Sequence, residues 1–94
     1  MALIIIFLGL SGCIASLYLP TEEDAKIYNI PLTTLKEGRE LYINKCSSCH
    51  NLYLPSNYTK HEWSLNLNKM QKRAKIDSTQ KENITKYLEI NAKR

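Results

Sequence analysis

Two cysteines and a histidine lie close together in the middle of the chain. Cys46, Cys49 and His50 form the sequence CSSCH, in a chain of 94 residues that contains three cysteines and two histidines. Thiols and an imidazole at this spacing suit three kinds of chemistry: a zinc site, a redox-active dithiol, or covalent attachment of a haem. Each of these needs different surroundings, so the rest of the chain decides among them.

Zinc and dithiol chemistry both lack the partners they require. A structural zinc site needs four ligands, commonly as two pairs, and apart from Cys46, Cys49 and His50 the only candidate after the apolar N-terminus is His61. A dithiol of the thioredoxin kind lies at the start of a helix that follows a strand. Here the motif follows a predicted helix, and no apolar strand precedes it.

Haem attachment accounts for the spacing directly. In a C-x-x-C-H motif, the two thiols reach the two vinyl groups at one edge of a porphyrin, and the next imidazole binds the iron as its proximal ligand. A domain of about 60 residues also buries too little surface to be very stable by itself, and it benefits from a cofactor in its core. The motif therefore predicts one covalent haem c on Cys46 and Cys49, with His50 on the iron.

The N-terminus has the composition of an export signal. The apolar run Leu3 to Leu10 is followed by Ser11, Gly12 and Cys13, and no charge occurs before Glu22. The stretch Leu10 to Cys13 resembles the lipobox of bacterial lipoproteins, which implies that Cys13 is acylated and begins the mature chain. No Lys or Arg precedes the apolar run, so an uncleaved membrane helix over residues 2–19, or simple secretion, stays open.

These observations divide the chain into three parts. Residues 1–12 are a signal peptide or membrane anchor, residues 13–32 a tether that includes an irregular linker from Pro20, and residues 33–94 the folded domain. We expect a periplasmic or otherwise extracytoplasmic domain, anchored to the membrane by lipid or by an N-terminal helix. Acylation of Cys13 would also leave Cys46 and Cys49 as the remaining pair.

Three helices are predicted for the domain, with no strand, so the fold class is all-α. The first begins at Thr33 or Thr34 and runs toward Cys46. The second begins at the capping box Thr59–Glu62, and the third follows Asp77 or Ser78. Apolar residues recur at helical spacing in each helix: Leu35, Leu41 and Tyr42; Trp63, Leu67, Met70 and Ala74; Ile84, Tyr87 and Leu88.

Gly38 is unusual within a helix, because it costs about 1 kcal/mol relative to Ala. The cost is understandable if another helix approaches closely there. The stretch GRELYINKCSSCH, Gly38 to His50, resembles the start of a class I cytochrome c domain. The resemblance implies a small monohaem cytochrome of about three main helices around one haem, in which Gly38 and Tyr42 pack against the C-terminal helix at Tyr87 and Leu88.

The sequence offers three possibilities for the sixth position of the iron. The resemblance favours a Met, and Met70 is the only Met after the N-terminal segment. His61 is the alternative, and an open site is a third possibility. Trp63, at the start of the same helix, is predicted to pack against the porphyrin.

The expected function is electron transfer rather than catalysis. A six-coordinate haem passes single electrons, and no nucleophile or paired carboxylate suggests an enzyme. The alternatives are a haem-based sensor of small ligands with an open or His-ligated sixth position, and a haem subunit of a larger oxidoreductase. From Thr33 onward, 12 basic side chains stand against 6 acidic ones. We expect redox partner proteins, of acidic surface, to dock near Lys69, Lys72, Arg73 and Lys75, and export argues against nucleic acid.

Overall fold

The computed structural model describes residues 17–46 and 53–94. These residues form α-helices, one short 3₁₀ helix and one isolated bridge between Thr59 and Lys93. The helices are α1 (Glu22–Tyr28), α2 (Leu32–Cys46), α3 (Lys60–Ala74) and α4 (Ser78–Glu89), and the 3₁₀ helix is Pro55–Asn57. The prediction of an all-α domain is confirmed. No helix in these ranges is long and apolar enough to cross a membrane.

The ends of α3 and α4 are fixed by the capping residues that the sequence predicts. The Thr59 side chain accepts a hydrogen bond from the Glu62 amide, and the Glu62 side chain accepts one from the Thr59 amide. Asp77 and Gln80 form the same reciprocal pair at the start of α4. Each pair satisfies amides that a helix start leaves without intrahelical partners, which is why the helices begin there.

The start of α2 differs by a residue or two from the prediction. The helix begins at Leu32, directly after Pro31, and the carbonyl of Pro31 accepts hydrogen bonds from the amides of Thr34 and Leu35. Pro suits the first turn of a helix because its ring fixes φ and its missing N–H has no partner there in any case. Thr33 and Thr34 therefore lie inside the first turn.

The stretch predicted to be a linker contains α1. Thr21 and Asp24 form a capping box of the same type, and Asn29 ends the helix in the left-handed conformation at φ 53°. An irregular linker over the whole stretch from Pro20 to Leu32 is thus wrong for residues 22–28. No residue of α1 is buried, so an apolar period could not reveal it.

The core forms where α4 packs across α2 and α3. Gly38 of α2 lies directly against α4: a Cβ added there would fall well inside contact distance of the Asn83 carbonyl oxygen and 3.0 Å from Tyr87 Cβ. The ring centroids of Tyr42 and Tyr87 are 6.3 Å apart. The predicted close approach at Gly38 and the packing of Gly38 and Tyr42 on the last helix are confirmed. The buried cluster consists of Leu17, Tyr42, Trp63, Leu67, Ala74, Ile76, Ile84, Tyr87 and Leu88.

Candidate haem-attachment site

The first cysteine of the motif is the last residue of α2. Cys46 is partly buried and packs against the edge of the core cluster. Cys49 and His50 lie outside the described residues, as does Cys13. Their predicted roles therefore stay predictions, and the geometry of the site is that of Cys46 and of the residues that flank the motif on both sides.

A hydrogen bond joins the two described residues Tyr42 and Tyr53, one on each side of the motif. The chain leaves α2 at Cys46, and it is described again from Tyr53. The Tyr42 hydroxyl, one helical turn before Cys46, donates a hydrogen bond of 2.6 Å to the carbonyl oxygen of Tyr53. This bond holds the chain that leaves the motif against the helix that enters it. A buried side chain therefore connects the two flanks of the motif.

Burial favours the protonated form of the Tyr42 hydroxyl, which is the form that donates a hydrogen bond. Desolvation by burial raises the pKa of Tyr42, and the neighbouring Cys46 raises it further. The hydroxyl therefore stays protonated throughout the physiological pH range. The contact to the Tyr53 carbonyl is consequently independent of pH over that range.

An aromatic cluster surrounds this contact. The ring centroids of Tyr53 and Tyr58 are 5.5 Å apart. The centroid distance is 5.0 Å between Tyr58 and Trp63, and 5.9 Å between Tyr42 and Trp63. All three pairs are close to perpendicular, which is a favourable arrangement because the positive edge of one ring faces the negative face of the next. Together these rings form an apolar wall that begins at Tyr53 beside the motif and ends in the core at Tyr42.

The indole N–H of Trp63, its only polar group, has a hydrogen-bond partner within this wall. Trp63 is buried, and its indole N–H donates a hydrogen bond of 2.8 Å to the Pro55 carbonyl oxygen. This bond connects α3 to the 3₁₀ helix that follows the motif. The predicted contact of Trp63 with a porphyrin stays a prediction. Tyr53 and Tyr58 are parts of the site that sequence reasoning missed, since the stretch from Asn51 to Tyr58 shows no regular period.

The two candidates for the sixth ligand lie on different sides of α3. Met70 lies on the same stripe of α3 as Trp63, Leu67 and Ala74. Those three side chains are buried, whereas Met70 is partly exposed. His61 is exposed in the first turn, and at about 100° per residue it lies roughly 160° around the helix from Trp63. The described geometry brings Met70, and not His61, to the aromatic side of α3.

The set of donor atoms fits a haem c. Thiols at C-x-x-C spacing can form two thioethers, and imidazole and thioether are the usual axial ligands of cytochrome c iron. Cys46 is partly buried one helical turn after Tyr42, and it would hold a haem c through one of the thioethers. Within residues 17–46 and 53–94, no group of three or more His, Cys, Asp or Glu side chains is placed to hold a metal ion.

An all-α domain whose long helix ends on the first cysteine of C-x-x-C-H has the architecture of a c-type cytochrome. A family model described as "Dihaem cytochrome c" matches residues 42–94, more than half of the chain. The chain belongs to this family of haem proteins. No curated protein and no solved structure matches it significantly.

Family membership confirms the broad prediction and corrects a finer one. The chain is a c-type cytochrome, with haem c as its cofactor and electron transfer as its general function. The expected placement in class I does not agree with a family described as dihaem, and this match does not confirm the expected single haem. The motif could not separate the two families, because any c-type haem is attached through the same two thiols and imidazole.

Proposed function

We propose that this chain is a membrane-tethered electron carrier that holds one haem c outside the cytoplasm. The observation that carries the proposal is the position of Cys46, at the end of α2 and beside the buried Tyr42, within the stretch that matches cytochrome c. Cys46 and Cys49 bind the porphyrin edge, and His50 and Met70 bind the iron. The bound haem supplies a centre that takes up and releases one electron; the protein supplies the ligands and a low-dielectric wall.

The number of attachment motifs in these 94 residues supports one covalent haem. These 94 residues contain a single C-x-x-C-H, and the remaining cysteine, Cys13, is followed by Ile14, Ala15 and Ser16, with no second thiol or histidine at the required spacing. A second covalent haem would need a second motif. We therefore propose one haem, although the family is named for two.

The membrane tether and the extracytoplasmic location rest on the N-terminal sequence. The apolar run Leu3 to Leu10, with Cys13 after Ser11 and Gly12, supports a lipid anchor on Cys13. An uncleaved membrane helix over residues 2–19 does not fit, because residues 17–19 are not helical and Leu17 is buried in the domain core. Attachment of haem c through free thiols is compatible with export, since the two cysteines are then consumed as thioethers.

A basic surface on α3 supports docking of an acidic redox partner. Lys69, Lys72 and Arg73 are exposed near the end of α3, and Lys75 is exposed at its C-cap. The same last turns carry Met70, so a partner drawn to these charges approaches the haem ligand proposed above. Charge steering of this kind raises the association rate and weakens as ionic strength increases. A role as the haem subunit of a larger oxidoreductase would use the same surface.

Replacement of Met70 by Leu should open the sixth position of the iron. We expect the ferric protein to lose the methionine–iron charge-transfer band at the red edge of the visible spectrum. The ferrous variant should bind carbon monoxide stoichiometrically, where the unmodified protein binds little, and its reduction potential should fall because the soft thioether is lost. Absorption spectra and a redox titration measure all three effects.

His61→Gln is the matched control for Met70→Leu, since both residues lie on α3. It should leave the charge-transfer band, carbon monoxide binding and the potential unchanged. If His61→Gln opens the iron and Met70→Leu does not, the ligand assignment is wrong. If the unmodified ferrous protein already binds carbon monoxide rapidly, a sensor of small ligands replaces the electron carrier.

A further inference from the structure

The helix that enters the attachment motif and the chain that leaves it are connected through the Tyr42 hydroxyl. Tyr42 has 3% of its surface exposed, and it donates its hydrogen bond of 2.6 Å to the Tyr53 carbonyl oxygen. Cys46, Cys49 and His50 all lie between these two residues in the sequence. The bond therefore closes a loop of chain that contains every residue proposed to attach the haem.

The packing of Tyr42 in the core depends on its ring and not on its hydroxyl. The ring centroid lies 5.9 Å from that of Trp63 and 6.3 Å from that of Tyr87, and a Phe ring at this position would make the same contacts. Burial of a hydroxyl costs free energy that its hydrogen bond must offset. What the hydroxyl adds to the ring is thus the connection to Tyr53.

Two other hydrogen bonds hold the residues that follow Tyr53, and both come from later parts of the chain. The Trp63 indole N–H donates to the Pro55 carbonyl oxygen at 2.8 Å, and the Lys93 amide donates to the Tyr58 carbonyl oxygen at 2.8 Å. The bond to the Tyr53 carbonyl comes instead from α2, the helix that ends on the first cysteine of the motif. It therefore relates the exit of the motif to its entrance.

We propose that Tyr42 is a positioning residue for the haem: its hydroxyl holds Tyr53, three residues after His50, and thereby orients the His50 imidazole on the iron. The inference rests on the haem attachment of the proposed function and adds the group that orients the proximal ligand. Outer contacts that orient a metal ligand also tune the metal that it binds. Loss of the hydroxyl should therefore change the signal of the ferric iron even where the fold persists.

Tyr87 offers a matched control for Tyr42 within the same core. Its side chain is fully buried, and its hydroxyl also donates a hydrogen bond of 2.6 Å to a backbone carbonyl, that of Tyr18. Tyr18 lies in the segment that precedes α1. Tyr42→Phe and Tyr87→Phe therefore remove the same group and the same kind of bond, and they differ in the segment that each hydroxyl holds.

Electron paramagnetic resonance and amide hydrogen exchange test this role on the full chain with its haem attached. In Tyr42→Phe, we expect shifted or broadened g values of the ferric low-spin iron, and amide exchange in residues 53–58 that is about fivefold faster. In Tyr87→Phe, we expect unchanged g values, with the faster exchange in residues 17–21 instead. Thermal unfolding should show a similar loss of stability in the two variants, so that stability alone does not explain a difference in the iron signal.

The outcomes separate this inference from the proposed function. Unchanged g values in haem-loaded Tyr42→Phe overturn the positioning role and leave the electron carrier intact, since the hydroxyl then contributes to stability alone. Equal changes of the g values in both variants also overturn it, because the cause is then a general loosening of the core. Changed g values without faster exchange in residues 53–58 overturn the assigned route through Tyr53. An unmodified chain without covalent haem contradicts the proposed function, and the positioning role with it.

Discussion

Substitution of Gly38 by Ala should destabilise the domain by about 2 kcal/mol or more, although Ala is the better helix former. The added methyl would be worth about 1 kcal/mol in helix propensity alone. It would also press on the Asn83 carbonyl oxygen and lie 3.0 Å from Tyr87 Cβ. Both neighbours belong to α4 and cannot rotate away, so α2 and α4 must separate, and overpacking of this kind commonly costs about 1–3 kcal/mol or more. In so small a domain, the midpoint of thermal unfolding should fall by more than about 10 °C.

Glu37→Ala is the matched control for Gly38→Ala. Glu37 precedes Gly38 in α2 and is exposed, so its replacement should change the free energy of unfolding by no more than about 0.5 kcal/mol. Thermal unfolding followed by circular dichroism measures both variants. Equal or higher stability of Gly38→Ala would show that α2 and α4 are not in contact at this position.

Trp63→Ala should destabilise the domain more strongly, by about 3–5 kcal/mol, the usual cost of removing a large buried aromatic side chain. The indole packs edge-on against Tyr42 and Tyr58, and its N–H donates to the Pro55 carbonyl oxygen. Its loss leaves a cavity between α2 and α3 and removes the bond that holds the 3₁₀ helix. Chemical denaturation of the purified protein measures the loss.

Two further variants separate the contributions to the Trp63→Ala effect. Leu65→Ala, half exposed on the same helix, should cost less than about 1 kcal/mol. Trp63→Phe keeps a ring but removes the hydrogen bond to Pro55, and should cost about 1–3 kcal/mol. A Trp63→Ala effect no larger than that of Leu65→Ala would contradict the buried position of the indole.

The sequence predicted the parts of the fold that depend on local patterns. The capping boxes at Thr59 and Asp77 fix two helix starts, because a side chain three residues away completes each one. Gly38 predicted the close approach of the last helix, because a glycine inside a helix is costly unless something occupies the space of its side chain. These signals lie in short stretches of chain and need no knowledge of the tertiary structure.

The contacts that sequence could not predict have backbone atoms as partners. Tyr42 donates to the Tyr53 carbonyl, and Tyr87 and Arg39 donate to that of Tyr18. A carbonyl is present at every residue, so no residue type marks the acceptor. Helix α1 was missed for a different reason: Thr21 and Asp24 form a capping box, but the helix buries no side chain and has no apolar period.

The site itself was predictable only in part. The types and spacing of Cys46, Cys49 and His50 indicate haem c. The helical period of α3 puts Met70 on the same face as Trp63, and it puts His61 on the opposite face. The aromatic wall that includes Tyr53 and Tyr58 depends on how the chain returns after the motif. That return is set by tertiary contacts such as the Tyr42 hydrogen bond.

The mass of the intact chain tests the central claim most directly. The protein is produced in a host that attaches haem c, extracted from membranes, denatured in acid to release any haem that is not covalently bound, and weighed. We predict a chain that retains the mass of one haem, and a Cys46→Ala, Cys49→Ala double variant that retains none. An unmodified chain without haem would contradict the cytochrome assignment, and a chain with two haems would contradict the proposal of a single attachment site.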